Sequence, residues 1–211
     1  MKLLTIILLF VSSHVLAQGT KKMGKIRAGD TFDCSAYTFI HPLYGEHPGI
    51  DSAYGIKHIC ESENEIEIRF SACHGPMPIF EIIILSLKNA QWSAKKFEFY
   101  IQKGYLYPDS AMNAESEQVF VSPVKSPEGL DKIFDKLKKN NIFSLPDFSE
   151  IKNKPHGPSC GTMYLVTFKK GDQFRTYSFH NADYYVVHDS RKVFMNYYNI
   201  AEILSKELVK E

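Results

Sequence analysis

The chain has 211 residues, with 25 Lys and Arg against 24 Asp and Glu, and a formal net charge of +1. Hydrophobic residues make up 44% and aromatic residues 13%, which suits a folded chain rather than a disordered one. The charges are interspersed, with no block of five like signs, so the field that recruits nucleic acid or an anionic membrane surface is excluded.

Met1-Lys2 is a short basic start, and Leu3 to Val11 is apolar apart from Thr5. Val15-Leu16-Ala17 then places compact residues at −3 and −1 before Gln18. This is the pattern of a secretory signal peptide over residues 1–17. Its apolar run is shorter than the roughly 20 residues of a spanning helix. No later stretch is long and apolar enough to cross a bilayer, so no membrane insertion is expected after cleavage. Gln18 stands where a lipid-anchored protein has cysteine. The expected location is secreted or periplasmic, and the absence of an Asn-x-Ser/Thr sequon favours a bacterial source.

Residues 18–30 are polar and rich in Gly and Lys, a flexible start to a single domain over 31–211. Thr31 to Ile40 mixes aromatic and β-branched residues and suits a strand, whereas His41 to Tyr54, with two Pro and two Gly, suits a long loop. Ile66, Ile68, Phe70 and Ala72 alternate with Glu65, Glu67, Arg69 and Ser71, the period of a half-buried strand. Ile79 to Leu87 is apolar on both faces near its middle, as a central strand is. Asn89 to Ser93 predicts a turn, Phe97, Phe99 and Ile101 a third strand, and Gln118 to Val121 a fourth. Ser126 and Pro127 predict a helix start, and Leu130, Ile133, Phe134 and Leu137 mark one apolar face up to Asn140-Asn141. Ile142 to Phe148 is an apolar connection. Thr162 to Phe168 and Phe174 to His180 flank a Lys-Lys-Gly-Asp turn and predict a hairpin. A last helix is expected over about 190–208, with Val193, Tyr197, Ala201 and Leu204 on its stripe.

Strands first, then helix, hairpin and helix predict an α+β fold: an antiparallel sheet with two helices packed on it. Residues 126–211 form its helix–hairpin–helix unit and a candidate subdomain. Leu130, Phe134, Leu137, Tyr164, Val166, Val193 and Leu204 are expected in one core.

The C-terminal half carries a recurring pattern. Ile142-Phe143-Ser144-Leu145-Pro146 after a helix, Gly161-Thr162-Met163-Tyr164, Arg175-Thr176-Tyr177 and a closing helix resemble a group of exported bacterial proteins with no established activity. The resemblance covers under half of the chain. It implies the C-terminal fold and an exported bacterial origin, and it assigns no catalytic residue.

Cys34, Cys60, Cys73 and Cys160 in an exported chain predict two disulfides. The pairing Cys34–Cys60 with Cys73–Cys160 is favoured, and Cys34–Cys73 with Cys60–Cys160 competes. Both Cys73 and Cys160 lie beside a His-Gly-Pro turn, at His74 and at His156. A Cys73–Cys160 bond would bring these two histidines together as a candidate functional cluster. Cys73-His74 is a poor catalytic dyad, since strand neighbours face opposite ways. His41, Glu46, His47 and His58 lack the compact spacing of a zinc site. Glu65 and Glu67 suit a wet sheet face with Arg69 as partner. Tyr44, Tyr54, Tyr105, Tyr107, Tyr184 and Tyr185 fall in predicted loops, where tyrosines make contact surfaces.

No Gly-x-Ser-x-Gly, P-loop or Rossmann pattern occurs, so no cofactor or catalytic residue is assigned. The expectation is an exported, non-enzymatic binding or structural module for a protein or small-molecule ligand. The alternative is a secreted hydrolase with a histidine-based site, with or without zinc.

Overall fold

Period-two alternation over Ile66 to Ala72 makes an interior strand of the sheet that buries both its faces. The computed structural model describes residues 40–41, 45–46, 56–74, 79–100 and 118–210. Two short strands, β1 (Ile40–His41) and β2 (Gly45–Glu46), pair as a small ribbon. The main strands are β3 (Ile66–His74), β4 (Ile79–Lys88), β5 (Gln91–Tyr100), β6 (Gln118–Lys125), β7 (Thr162–Lys170), β8 (Gln173–His180) and β9 (Val209–Lys210). They form one antiparallel sheet in the order β8-β7-β3-β4-β5-β6-β9. Helices α1 (Leu130–Lys139), α2 (Ala182–His188) and α3 (Lys192–Lys206) complete an α+β fold. Among the described residues no helix is long and apolar enough to cross a membrane.

β4, apolar on both faces, is the middle strand, with Ile82 and Ile83 both buried. The β4–β5 hairpin closes through Asn89 and Ala90 at φ 51° and 59°, the left-handed pair of a tight two-residue turn. The β7–β8 hairpin closes through Gly171, at φ 55°. β7 pairs with β3, so strands from both halves of the sequence share the sheet.

One face of the sheet, the inner face, carries Ile68, Phe70, Leu85, Val166 and Tyr177 against the helices. Leu137, Val166 and Leu204 are buried there, and Leu130, Phe134, Tyr164 and Val193 pack on the same cluster, as expected. Phe179 and Tyr197 stack at 4.6 Å with 9° between planes, joining β8 to α3. The buried Tyr177 and Tyr197 hydroxyls donate to the carbonyls of Ile142 (3.0 Å) and Pro146 (2.6 Å), which pins the apolar connection to the core.

The ends of α1 show local chemistry deciding where a helix runs. Asn141 at φ 59° ends it: Ile142 N–H donates to the Leu137 carbonyl (3.2 Å) and Asn141 N–H to that of Lys138 (2.9 Å), a Schellman closure. Its start differs from expectation. Ser126 accepts from Glu128 N–H, and Gly129 N–H donates back to the Ser126 carbonyl (3.0 Å), so Ser126-Pro127-Glu128-Gly129 is a turn. Gly129 at φ 90° then precedes the first helical residue, Leu130. The last helix expected over about 190–208 is α3, and α2 stands ahead of it in a segment read as loop. Asp189 binds Arg191 through both carboxylate oxygens (2.6–3.0 Å) and breaks the chain between α2 and α3. Arg191 in turn donates to the carbonyls of Lys152 and Asn153, fixing the break against a neighbouring loop.

Candidate functional site

Opposite the helices, the outer face of the sheet carries a second, smaller apolar cluster: Ile82, Phe97, Phe99, Cys73 and Phe174 under Ile56 and Ile59. Beside that cluster the same face turns polar. The antiparallel register sets two rows across β3, β4 and β5. Glu67, Ser86 and Ser93 stand opposite one another in the first, and Arg69, Ile84 and Lys95 in the second. Ser86 and Ser93 are short beside Glu67, Arg69 and Lys95, so the face dips between the longer side chains and makes a trough.

Residues 56–64 form its wall. A 3-10 turn, Ile59–Glu61, is capped by the His58 ring, which accepts from Cys60 N–H (3.4 Å). Ile59 anchors the turn in the outer cluster. Polar clamps from the sheet hold the rest. Glu67 accepts from Ser62 Oγ (2.5 Å) and Asn64 Nδ2 (2.6 Å) through one oxygen and from Arg69 Nε (2.8 Å) through the other. Arg69 also donates to the Lys57 carbonyl. Lys169 donates to the carbonyls of Ser62 (2.5 Å) and Cys60 (3.2 Å). Between wall and strands lies a cleft of about 310 Å³, within the range of small-molecule seats.

The wall corrects one expectation. Glu67 and Arg69 are each 4% exposed, not on a wet face, because residues 56–64 cover them. The pairing with Arg69 is as expected. Glu65 is exposed just ahead of β3.

The predicted cysteine and histidine cluster does not assemble as expected. Cys73 and Cys160 are both free, so the Cys73–Cys160 bond is not formed. Cys160 is exposed in the loop before β7, as a turn position allows. Cys73 instead holds a ladder position between Phe80 and Met163, and its side chain belongs to the outer apolar cluster. Burial pushes its thiol above the ordinary value, the opposite of what a nucleophile needs. Cys60 is disulfide-bonded; its expected partner Cys34 lies outside the described residues.

The two histidines have separate partners. The His74 ring is hydrogen-bonded to Thr162 Oγ1 (3.2 Å). His156 is exposed, and its carbonyl accepts from the Tyr184 hydroxyl (3.0 Å). Packing explains its His-Gly-Pro turn: a Cβ on Gly157 would lie 2.3 Å from the Tyr185 hydroxyl oxygen. Of the loop histidines considered for zinc, His58 serves as the turn cap, and His47 lies outside the described residues. Among the described residues no group of three or more His, Cys, Asp or Glu side chains is placed to hold a metal.

Tyr184 and Tyr185 lie on α2 rather than in a loop. Tyr185 is buried against Phe148 and Phe194 (5.0 and 5.2 Å between centroids). Tyr184 stacks on His188 (4.1 Å) at a second cleft, of about 370 Å³, that also exposes Cys160 and Asp183. The His188 Nδ1 hydrogen donates to the Tyr184 carbonyl (2.9 Å). Tyr44, Tyr54, Tyr105 and Tyr107 lie outside the described residues.

Sequence reading missed the cleft over β3–β5. Its residues come from positions 56 to 97, and only the strand register shows that they meet. The one visible signal is Ser86 and Ser93, small polar residues inside otherwise apolar or long-chain strands. Comparison with protein-family models, curated proteins and solved structures finds no match.

Proposed function

We propose that this is an exported, non-enzymatic binding protein of bacterial origin, and that it seats a small-molecule ligand in the cleft on the outer face of its sheet. The cleft carries this reading. A buried, fully bonded Glu67 and an Arg69 clamp hold its wall in place before any ligand arrives, so little ordering is left to oppose binding. The signal-peptide pattern over 1–17 supports export, and the disulfide at Cys60 accords with an oxidising compartment. The hydrolase alternative drew on a Cys73–Cys160 bond to bring His74 to His156, and that ground is lost with both thiols free.

Two measurements test the reading. Exported protein should begin at Gln18 by N-terminal sequencing, and a start at Met1 in the cytosolic fraction refutes export. A fragment library screened by amide chemical shifts should cluster its hits on Ser86, Ser93 and Lys95. Hits that cluster only around Cys160 and Tyr184 refute the choice of cleft.

A further inference from the structure

The charges that line the cleft narrow what it can hold. Two of its three acids are already occupied. Glu67 has both oxygens bonded, and Glu63 pairs with Lys88 at 2.7 Å. Their partners Arg69 and Lys88 are two of the four basic side chains that line the cleft, which leaves Lys57 and Lys95 against Glu61, a positive balance. Lys95 is exposed beside Ile84 and has no acidic partner among the described residues. One row away, Ser86 and Ser93 stand directly opposite each other, giving two hydroxyl donors on the floor. Ile84 and Phe97 supply apolar floor next to them.

Resting on the seat proposed above, we infer that the cleft binds a small organic carboxylate. The anionic end lies between Lys95 Nζ and the Ser86 and Ser93 hydroxyls, and the apolar body lies along Ile84 and Phe97. A carboxylate satisfies an ammonium and two hydroxyl donors at once, through short charge-assisted hydrogen bonds. An amide keeps the shape and loses the charge. A cation meets Lys95 directly, and two of the three acids that would balance it, Glu63 and Glu67, are already paired. Lys95 acts here as a solvated point charge, so selectivity is modest.

The test uses the full mature chain with its disulfide intact and three probes of one shape: benzoate, benzamide and benzylamine, each titrated while backbone amide shifts are recorded. Benzoate is expected to shift Ser86, Ser93 and Lys95 and to bind about fivefold more tightly than benzamide, the factor that about 1 kcal/mol of partly solvated ion pairing supplies. Benzylamine is expected to be weakest. Lys95→Gln should reduce benzoate affinity about fivefold and leave benzamide unchanged, and Lys125→Gln, outside the cleft, should change neither. Benzamide or benzylamine binding in the cleft as well as benzoate overturns the carboxylate assignment and leaves the seat standing, as does a Lys95→Gln variant that keeps full benzoate affinity. Failure of all three probes to shift the cleft overturns the assignment and the seat together.

Discussion

Replacing Glu67 by Gln keeps the shape of the cleft wall and removes one charge from under it. The carboxylate is 4% exposed and accepts three hydrogen bonds, from Ser62, Asn64 and Arg69. Glutamine has one carbonyl oxygen for these three donors, and its amide group turns a donor toward one of them. Arg69, also 4% exposed, keeps its charge without its carboxylate. Removing one member of a buried pair costs about 3–5 kcal/mol, because the remaining charge stays desolvated. Against a domain stability of about 5–15 kcal/mol this is a large fraction. Urea unfolding of oxidised protein measures it through the midpoint at constant slope. The double variant Glu67→Gln with Arg69→Met should cost less than the sum of the singles by about 1–3 kcal/mol, since it removes the stranded charge. Amide exchange in residues 57–64 should quicken in Glu67→Gln more than in the helices. A Glu67→Gln loss under about 1 kcal/mol, or strict additivity in the double variant, refutes the view that this pair holds the wall.

Leu137 is fully buried in the inner core, so Leu137→Ala should cost about 2–5 kcal/mol in the same assay, and a loss under about 0.5 kcal/mol would show that α1 does not pack by this face. Thiol titration of the unreduced protein should find Cys160 reacting in the native state and Cys73 only on unfolding; no reactive thiol in either state would restore the Cys73–Cys160 bond. Burial, then the Lys154 ammonium, push the His180 imidazole below its ordinary value of 6.5, against the pull of Asp147. The protonated ring is thus disfavoured in the fold, and its contribution to stability is whole above that value and falls as pH drops below it. His180→Phe should flatten the stability slope between about pH 7 and pH 5; an unchanged slope refutes the assignment.

The elements that sequence reading located are those whose cause is local. Alternation around Phe70 marks β3, Gly171 marks a hairpin, and Asn141 takes the left-handed closure that ends α1. α2 escaped because Ala-Asp-Tyr-Tyr-Val-Val-His has little helix preference. Tertiary packing decides it, through Tyr185 set between Phe148 and Phe194. The apparent wet face at Glu67 and Arg69 misled for the same kind of reason, since its cover comes from residues 56–64 and no periodicity within β3 reports that. Proximity of cysteines to similar turns carried no information on pairing. Cys73 belongs to the strand before its turn, and strand register sends it into an apolar cluster. The cleft is a property of three strands in register, so a single segment holds too little of it to be read.

Asp147 has a consequence beyond the turn it caps. One oxygen accepts from Ser149 N–H (2.9 Å), opening the short 3-10 turn Phe148–Glu150, and the other accepts from both the N–H and the hydroxyl of Ser178 (2.7 and 2.8 Å). Ser178 lies on β8, the outermost strand on that side of the sheet. Its N–H faces away from β7 and would otherwise be offered to any extended chain that came alongside. The carboxylate therefore acts as a stopper on the sheet's growing edge: a second copy arriving as a neighbouring strand meets an occupied donor and a negative charge. Burial raises the Asp147 carboxyl, but the hydrogen bonds from Ser149 and Ser178 outweigh it and hold the group below the usual carboxylate range. The stopper thus stays charged in mildly acidic surroundings, where a half-protonated surface would otherwise invite chains to stack.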